Sequence, residues 1–195
     1  YAGTLGDGIY KSTNAAGSWS ISNNGLTNGQ IFALLSVDST LFAGSFGAGI
    51  FKSTNHGASW VASNTGISNM SIYALAGDSS NIYAGTLGGG VFKSSDDGAT
   101  WTAVNNGLAN LSIVHLYATD SLLFAGTVGN GMYISNDEGS TWTALNNGLS
   151  TSATVRCVTT DGNDWYAGTA GDGVYYSNNQ GTSWTQVING LTNYT

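Results

Sequence analysis

Hydrophobic and polar residues alternate over short runs along the whole chain, and clusters of glycine, asparagine and serine separate the runs. Trp101-Thr-Ala-Val104 alternates as a half-buried strand requires. Ile72 to Ala76 is more continuously apolar and indicates a more deeply buried strand. No segment keeps a helical period, and proline is absent. The pattern therefore predicts an all-β fold of short strands.

The same order of strands and turns returns with a fixed period, which five tryptophans mark at spacings of 41, 41, 41 and 42 residues. Each period holds an aromatic-Ala-Gly strand, a glycine-rich turn, a second strand, a tryptophan-bearing strand and a more apolar strand. Four antiparallel strands in about 40–45 residues are typical of a β-propeller blade. A flat solenoid of hairpins is the structural alternative.

We therefore predict one propeller domain over residues 1–195, with repeats 1–41, 42–82, 83–123, 124–165 and 166–195. The most apolar strand of each blade should lie innermost and the tryptophan strand outermost, with the indole between blades. Innermost strands number four, one fewer than the other kinds, so the first of the five blades should lack its inner strand. The edge from Tyr1 to Thr4 would then be open to self-association or a partner strand, unless the sequence is a segment of a longer chain.

An eight-residue segment, which we call the box, recurs once per repeat. It has Ser first, Asp or Asn third, Gly fifth in all but the first copy, and Trp eighth. The residues that follow this pattern are Ser12, Asn14, Trp19; Ser53, Asn55, Gly57, Trp60; Ser94, Asp96, Gly98, Trp101; Ser135, Asp137, Gly139, Trp142; and Ser177, Asn179, Gly181, Trp184. The Asp or Asn oxygen can accept from turn amides, glycine can take a strained backbone, and tryptophan can clamp the hairpin. We interpret the box as a structural device.

The box resembles the Asp-box, or bacterial neuraminidase repeat, of pattern Ser-x-Asp-x-Gly-x-x-Trp, and the resemblance covers essentially the whole chain. Asn14, Asn55 and Asn179 are isosteric variants, and Ala16 stands where glycine is expected. With its Asn-Asn-Gly-Leu and Gly-Val-Phe-Lys-Ser phrases, the chain looks like tandem-repeat propellers of secreted, often surface-anchored bacterial proteins. The resemblance implies boxes at the blade periphery and a secreted or cell-surface location.

The residue content of the chain argues against the enzymes of that family. Sialidases with these boxes use three arginines and a Tyr–Glu pair, whereas Arg156 and Glu138 are single representatives of their types here. Related xyloglucanases need two carboxylates facing across a cleft. Here nine acids should share one rim, in the box turns and in the loops between the first two strands: Asp38, Asp78, Asp96, Asp97, Asp120, Asp137, Glu138, Asp161 and Asp164. We expect no catalysis, cofactor or metal; a calcium site at Asp161, Asn163 and Asp164 is the alternative.

Charge and cysteine content exclude several other classes. Four Lys and Arg against 11 Asp and Glu give a net charge of -7, so no basic surface exists for nucleic acid. No apolar run is long enough to span a bilayer. Cys157 is alone, which excludes an internal disulfide. Aligned with Leu34, Leu75 and Leu116, it should be a small buried hydrophobe.

One inner-strand position reads Ala33, Ala74, His115 and Arg156 in successive repeats when a constant spacing is kept. If this position faces the axis, His115 and Arg156 form a predicted site for an anionic ligand in the channel. Channel plugging or blade packing is the alternative. Trp165 similarly replaces Leu41, Ile82 and Leu123, beside the single extra residue of the last repeat.

Two functions from different classes remain. The first is a non-catalytic extracellular propeller that serves as a structural, adhesion or interaction module, with a protein or glycan at the cell surface as partner. The second is a lectin that binds sugars on the Asn-, Thr- and Gly-rich face opposite the acidic rim. Similar pockets at every blade junction would favour the lectin.

Overall fold

The computed structural model describes residues 1–192 and 194, and these residues form strands and turns without a helix. The strands are β1 (Ala2–Gly3), β2 (Ile9–Lys11), β3 (Ser20–Ile21), β4 (Ile31–Val37), β5 (Thr40–Ser45), β6 (Gly49–Ser53), β7 (Val61–Ala62), β8 (Ile72–Gly77), β9 (Ile82–Thr86), β10 (Gly90–Ser94), β11 (Thr102–Ala103), β12 (Ile113–Ala118), β13 (Leu123–Thr127), β14 (Met132–Ser135), β15 (Thr143–Ala144), β16 (Val155–Thr160), β17 (Trp165–Thr169), β18 (Gly173–Ser177) and β19 (Thr185–Gln186).

Consecutive strands pair antiparallel into five sheets, which are the blades. Blade 1 contains β1 to β3, and blades 2 to 5 contain β4–β7, β8–β11, β12–β15 and β16–β19. The predicted all-β propeller of five blades is confirmed, and among the described residues blade 1 has three strands and no inner strand, as predicted. The boxes lie at the turns into the outermost strands, as predicted; residues 94–101, for example, join β10 to β11.

Apolar cores lie between neighbouring blades rather than within one sheet. Between blades 3 and 4, Tyr83 and Val91 meet Ala125, Tyr133 and Trp142. Equivalent clusters join blades 1 and 2, 2 and 3, and 4 and 5. Among the clusters of the described residues, none has members from both blade 5 and blade 1. The first and last blades therefore each have one face without a blade packed on it.

The box tryptophans join neighbouring blades, as the sequence predicts, with one exception. Trp101 is only 3% exposed, and its indole Nε1 donates to the carbonyl of Ser63 in the preceding blade at 2.9 Å. Trp60, Trp142 and Trp184 make the same bond one blade apart, to the carbonyls of Ser22, Val104 and Leu145. Trp19 lies in the first blade and is 47% exposed. Its box therefore does not clamp two blades.

The box turn holds two consecutive residues with positive φ, not one as the sequence predicts. The fourth box residue of each copy has φ of 52–58°, as in Asp97 at 55°, and the fifth follows with Gly98 at 78°. The fifth position needs glycine mainly for space. A Cβ on Gly57 would lie 2.7 Å from Ser22 Oγ, and one on Gly98 would lie 2.7 Å from the Phe42 ring, both in the preceding blade. Ala16, which stands where the other boxes have this glycine, lies in blade 1. No described blade packs against the box of blade 1.

The strand register corrects the predicted alignment of the last repeat. The amides of Gly90 and Gly131 donate to the carbonyls of Leu111 and Ala153, which shows that these two acceptors are equivalent although they are 42 residues apart. Leu149 still follows its counterpart Leu108 by 41 residues. The extra residue therefore lies between Leu149 and Ala153, not beside Trp165.

This register moves Cys157 and Arg156 to other positions than predicted. Cys157 pairs with Gly168 as His115 pairs with Gly126, so it is the counterpart of His115 and not of Leu34, Leu75 and Leu116. It is exposed, and the prediction of a buried hydrophobe is wrong. Arg156 is the extra residue of a β-bulge, where the register skips one position. Its counterparts in the other inner strands are Phe32, Tyr73 and Val114.

Candidate functional site

The acidic loops lie together on one rim, as predicted. One cleft is lined by Asp78 and Asp120 from loops between first and second strands, and by Asp137 and Glu138 from a box turn. A second cleft is lined in the same way one blade earlier. We call this surface the acidic rim. It is where paired carboxylates of a hydrolase would have to be sought.

Box carboxylates on this rim hold their own turns together. Asp96 accepts from the Thr100 hydroxyl at 2.6 Å, from the Thr100 amide at 2.8 Å and from the Ser94 hydroxyl at 2.8 Å. The Thr100 bonds are the main reason why the pKa of Asp96 falls to about 2. Thr141 lowers the pKa of Asp137 in the same way. Such carboxylates are ionised and already hydrogen-bonded, a poor starting point for general acid catalysis.

Three other acids of the rim link blades or hold loops. Lys52 of blade 2 pairs with Asp97 of blade 3 at 2.8 Å, and Lys93 of blade 3 pairs with Glu138 of blade 4 at 2.5 Å. The Tyr83 hydroxyl donates to Asp78 at 3.1 Å, and burial of the ring raises the pKa of Tyr83. These contacts are structural, and the exposed ion pairs add at most about 1 kcal/mol each.

Two of the three alternative calcium ligands already accept hydrogen bonds. Asp161 accepts from the Asp164 amide at 3.2 Å, and Asp164 accepts from the Tyr176 hydroxyl at 2.7 Å. Over residues 1–192 and 194, no three His, Cys, Asp or Glu side chains are grouped closely enough to hold a metal ion. The absence of catalysis stays a prediction.

The two basic residues proposed for the channel do not occupy equivalent positions. His115 is partly buried on β12, and its Nε2 accepts from the amide of Val158 in blade 5 at 3.1 Å. Arg156 is exposed at the bulge of β16. Burial lowers the pKa of His115, and the acceptor role of Nε2 requires the unprotonated nitrogen. His115 therefore links blades 4 and 5 as a neutral ring, and anion binding by this pair stays a prediction.

His115 should make the stability pH-dependent. The unfolded chain binds a proton at this residue below about pH 6.5, whereas the folded chain resists it because the folded pKa is lower. The free energy of unfolding should therefore fall as the pH drops from about 6.5 towards the folded pKa. Urea denaturation of His115→Gln at pH 7.5 and 5.5 should show less of this loss than the parent chain. His56→Gln changes an exposed histidine and should behave like the parent; identical pH dependence in all three proteins would contradict the prediction.

The opposite rim, which we call the glycine-loop rim, carries an aromatic cluster. Phe32 stacks on Tyr73 with ring centroids 4.4 Å apart, and Phe46 lies 6.1 Å from both. Phe32 is 39% exposed and Phe46 is 40% exposed. The β-bulge turns Phe32 out of the blade, and Phe46 lies in the turn between β5 and β6. The cluster therefore joins blades 2 and 3 at their surface.

Sequence reasoning missed this cluster because it looked for exposed inner-strand residues only at the position of Ala33, Ala74 and His115. The available signal was a large aromatic at the same inner-strand position in two adjacent repeats, Phe32 and Tyr73. At the junction of blades 3 and 4, the counterparts of Phe46 and Tyr73 are Leu87 and Val114. At the junction of blades 4 and 5 they are Val128 and Arg156, so the side chains are smaller or charged. The aromatic cluster therefore occurs at one junction and does not repeat around the fold.

Comparisons with known proteins concern the fold. No protein-family model matches the chain, and no curated protein matches it either. The Asp-box assignment consequently remains an interpretation of the sequence. In the described part of the chain, helices long and apolar enough to span a bilayer are absent.

Solved structures with the same architecture are numerous. The extracellular domain of BT4673 from B. thetaiotaomicron is 17% identical with a TM-score of 0.76, covering 93% of this chain and 25% of that one. An ancestral GH74 enzyme is 24% identical with a TM-score of 0.75, covering 98% and 29%. YCF48 bound to D1 peptide is 15% identical with a TM-score of 0.67, covering 92% and 60%. The chain thus spans about a quarter of the first two proteins, and the likeness shows the β-propeller fold alone.

Proposed function

We propose that this chain is a non-catalytic interaction module that binds a protein partner on the glycine-loop rim. The observation that carries the proposal is the exposed cluster of Phe32, Phe46 and Tyr73. Aromatic side chains left partly in water at one place are typical of binding surfaces, because their burial by a partner is strongly favourable. A secreted or cell-surface location fits the Gly-, Ser-, Thr- and Asn-rich composition.

Neighbouring apolar residues enlarge this surface. Met70 is 38% exposed, and its carbonyl accepts from the amides of Gly47 and Gly49 in the turn that carries Phe46. Asn28 donates to the Phe46 carbonyl at 2.8 Å and holds the same turn in place. The turn is therefore anchored on both sides, so the aromatic rings are presented on a preorganised surface.

Two comparisons are compatible with this proposal. YCF48 was solved bound to a peptide, and the BT4673 domain is extracellular. The GH74 enzyme shares the architecture, but the box carboxylates of the present chain, such as Asp96 and Asp97, are engaged in their turns and in ion pairs. We therefore retain the prediction that no hydrolysis takes place.

Glycan binding is the second candidate, because exposed aromatic faces can also stack on sugars. The cluster is found at one blade junction, so the repeated pockets that would favour a lectin are not supported. A single glycan site at Phe32 and Phe46 is the form of this alternative that fits the geometry.

Panning of a phage-displayed library of short random peptides on the immobilised chain tests the proposal. We expect enriched peptides with apolar residues, and we expect Phe32→Ala with Phe46→Ala to weaken their binding about tenfold or more. Val61→Ala is the matched control, because Val61 is an exposed hydrophobic residue on an outer strand. Equal peptide binding by the double variant and by the Val61→Ala control would contradict the site. Binding on a glycan array that the double variant abolishes would favour the second candidate instead.

A further inference from the structure

Arg156 differs in its surroundings from the lysines that join blades. Lys52 and Lys93 each pair with an acid of the next blade. Arg156 is the single arginine of the chain, is exposed, and forms no ion pair with any described residue. It holds the inner-strand bulge position that Tyr73 holds in the aromatic cluster. The glycine-loop rim therefore carries a guanidinium where, two blades earlier, it carries a stacked ring.

The junction of blades 4 and 5 fixes the surface around Arg156. Both blades that meet here are four-stranded sheets. The turn between β13 and β14 carries Val128, whose carbonyl accepts from Asn110 Nδ2 at 2.8 Å, and the Gly129 amide donates to the Thr154 hydroxyl of blade 5 at 2.9 Å. Thr154 precedes Arg156 by two residues. Val128 and Arg156 therefore lie on the same stretch of the rim, on a turn that is anchored from both blades.

Uncharged side chains connect the aromatic cluster with Arg156. We define the rim strip by the turn residue and the bulge residue at three successive junctions: Phe46 with Tyr73, Leu87 with Val114, and Val128 with Arg156. At the middle junction both residues are half-buried, and the neighbouring Leu111 is 38% exposed. The strip thus changes from aromatic to aliphatic to cationic along its length. A ligand that lies along it meets different chemistry at its two ends.

The distribution of charge favours a ligand with an acidic side chain on this rim. Seven acids line the two clefts of the acidic rim, and they would repel such a ligand there: Asp38, Asp78, Asp96, Asp97, Asp120, Asp137 and Glu138. Asp172 lies in the turn between β17 and β18 of blade 5, but it forms no ion pair with Arg156. The guanidinium is therefore open to a carboxylate from outside the chain.

We propose that the partner segment of the glycine-loop rim is an extended peptide that combines apolar residues with one acidic side chain. The apolar residues pack on Phe32, Phe46 and Tyr73, the backbone crosses the junction of blades 3 and 4, and the Asp or Glu accepts from the Arg156 guanidinium. The planar guanidinium can donate two parallel N–H bonds to one carboxylate, and Tyr and Arg are enriched among the residues that dominate binding. This inference rests on the function proposed above and adds the chemistry of the partner.

The composition of selected peptides tests the inference. The random library is panned in parallel on the parent chain, on Arg156→Gln and on Lys11→Gln. Both variants lose one positive charge, and Lys11 is the matched control because it contacts the His56 carbonyl in a box turn. Asp or Glu should be enriched with apolar residues on the parent and on Lys11→Gln, and this acidic preference should disappear on Arg156→Gln. Apolar peptides without an acidic preference would overturn this inference alone, whereas the absence of any enriched peptide would overturn the proposed function as well.

Affinities of the most enriched peptide locate the carboxylate contact. It is synthesised with its acidic residue and with the corresponding amide, and both forms are titrated by fluorescence anisotropy. On the parent chain the amide form should bind about fivefold more weakly, and added salt should reduce this difference. On Arg156→Gln the two forms should bind equally, and Arg156→Lys should recover part of the preference because it keeps the charge. The exposure of Arg156 makes these substitutions compatible with folding. An acidic preference that Arg156→Gln and Lys11→Gln retain to the same extent would contradict the contact.

Discussion

Trp101→Ala should lower the free energy of unfolding by about 3–5 kcal/mol, the range for truncating a buried aromatic residue. The indole is 3% exposed between blades 2 and 3, and its Nε1 hydrogen bond to the Ser63 carbonyl would be lost as well. The melting temperature should fall by on the order of 10 °C for a chain of this size. Thermal and urea denaturation of purified protein measure both quantities.

Trp19→Ala is the matched control, because this residue has the same place in its box but is 47% exposed. Its loss should cost about 1 kcal/mol. Asp96→Asn should also be mild, because Asn14 keeps the equivalent turn by donating to the Ser18 hydroxyl at 2.9 Å. Equal losses for Trp101→Ala and Trp19→Ala would refute the role of the indole as a link between blades.

Gly66→Ala should destabilise the chain, because the added methyl group would clash with the next blade. An exposed turn has no such clash. Gly66 has φ of +93°, and an added Cβ would lie 2.0 Å from the Trp101 carbonyl oxygen in the next blade. Overpacking of this kind costs about 1–3 kcal/mol, beyond about 1–2 kcal/mol for placing a side chain at positive φ. Chemical denaturation should therefore show a total loss of about 2–5 kcal/mol.

Gly190→Ala separates the two causes. Gly190 has nearly the same φ, +87°, but no described atom lies within 4 Å of its added Cβ, because no blade packs on this face of blade 5. Only the backbone strain should then appear. If Gly66→Ala and Gly190→Ala lose the same stability, the glycine that follows the outermost strand of each blade serves its backbone conformation and not blade contact.

The candidate surface was less predictable than the fold. The acidic rim follows from the up-and-down order of the strands within each blade. The structure confirms it, because the box turns and the loops between the first two strands lie at the same end of each blade. The exposed aromatic cluster does not follow from that order. A β-bulge turns Phe32 towards the surface, and the apolar run that predicts a buried inner strand does not reveal where a bulge lies.

The alignment of His115 with Arg156 failed for a related reason. A constant spacing of 41 residues places them at the same position, but one residue inserted before β16 shifts the strand by one. A shift of one residue in a strand exchanges its two faces. Hydrogen-bond register, which is a property of the folded pair of strands, is therefore needed to locate an insertion within a loop.

By itself, the sequence determined the number of repeats, the four-strand order of each blade, the position of the boxes and the missing inner strand. These properties are local or periodic, and turn residues and alternation encode them directly. The tertiary structure alone decided which boxes are covered by a neighbouring blade, why Ala16 is tolerated in the first blade, and where the aromatic cluster lies. Those properties depend on which surfaces of neighbouring blades meet, and repeats with nearly the same sequence differ in that respect according to their place in the row.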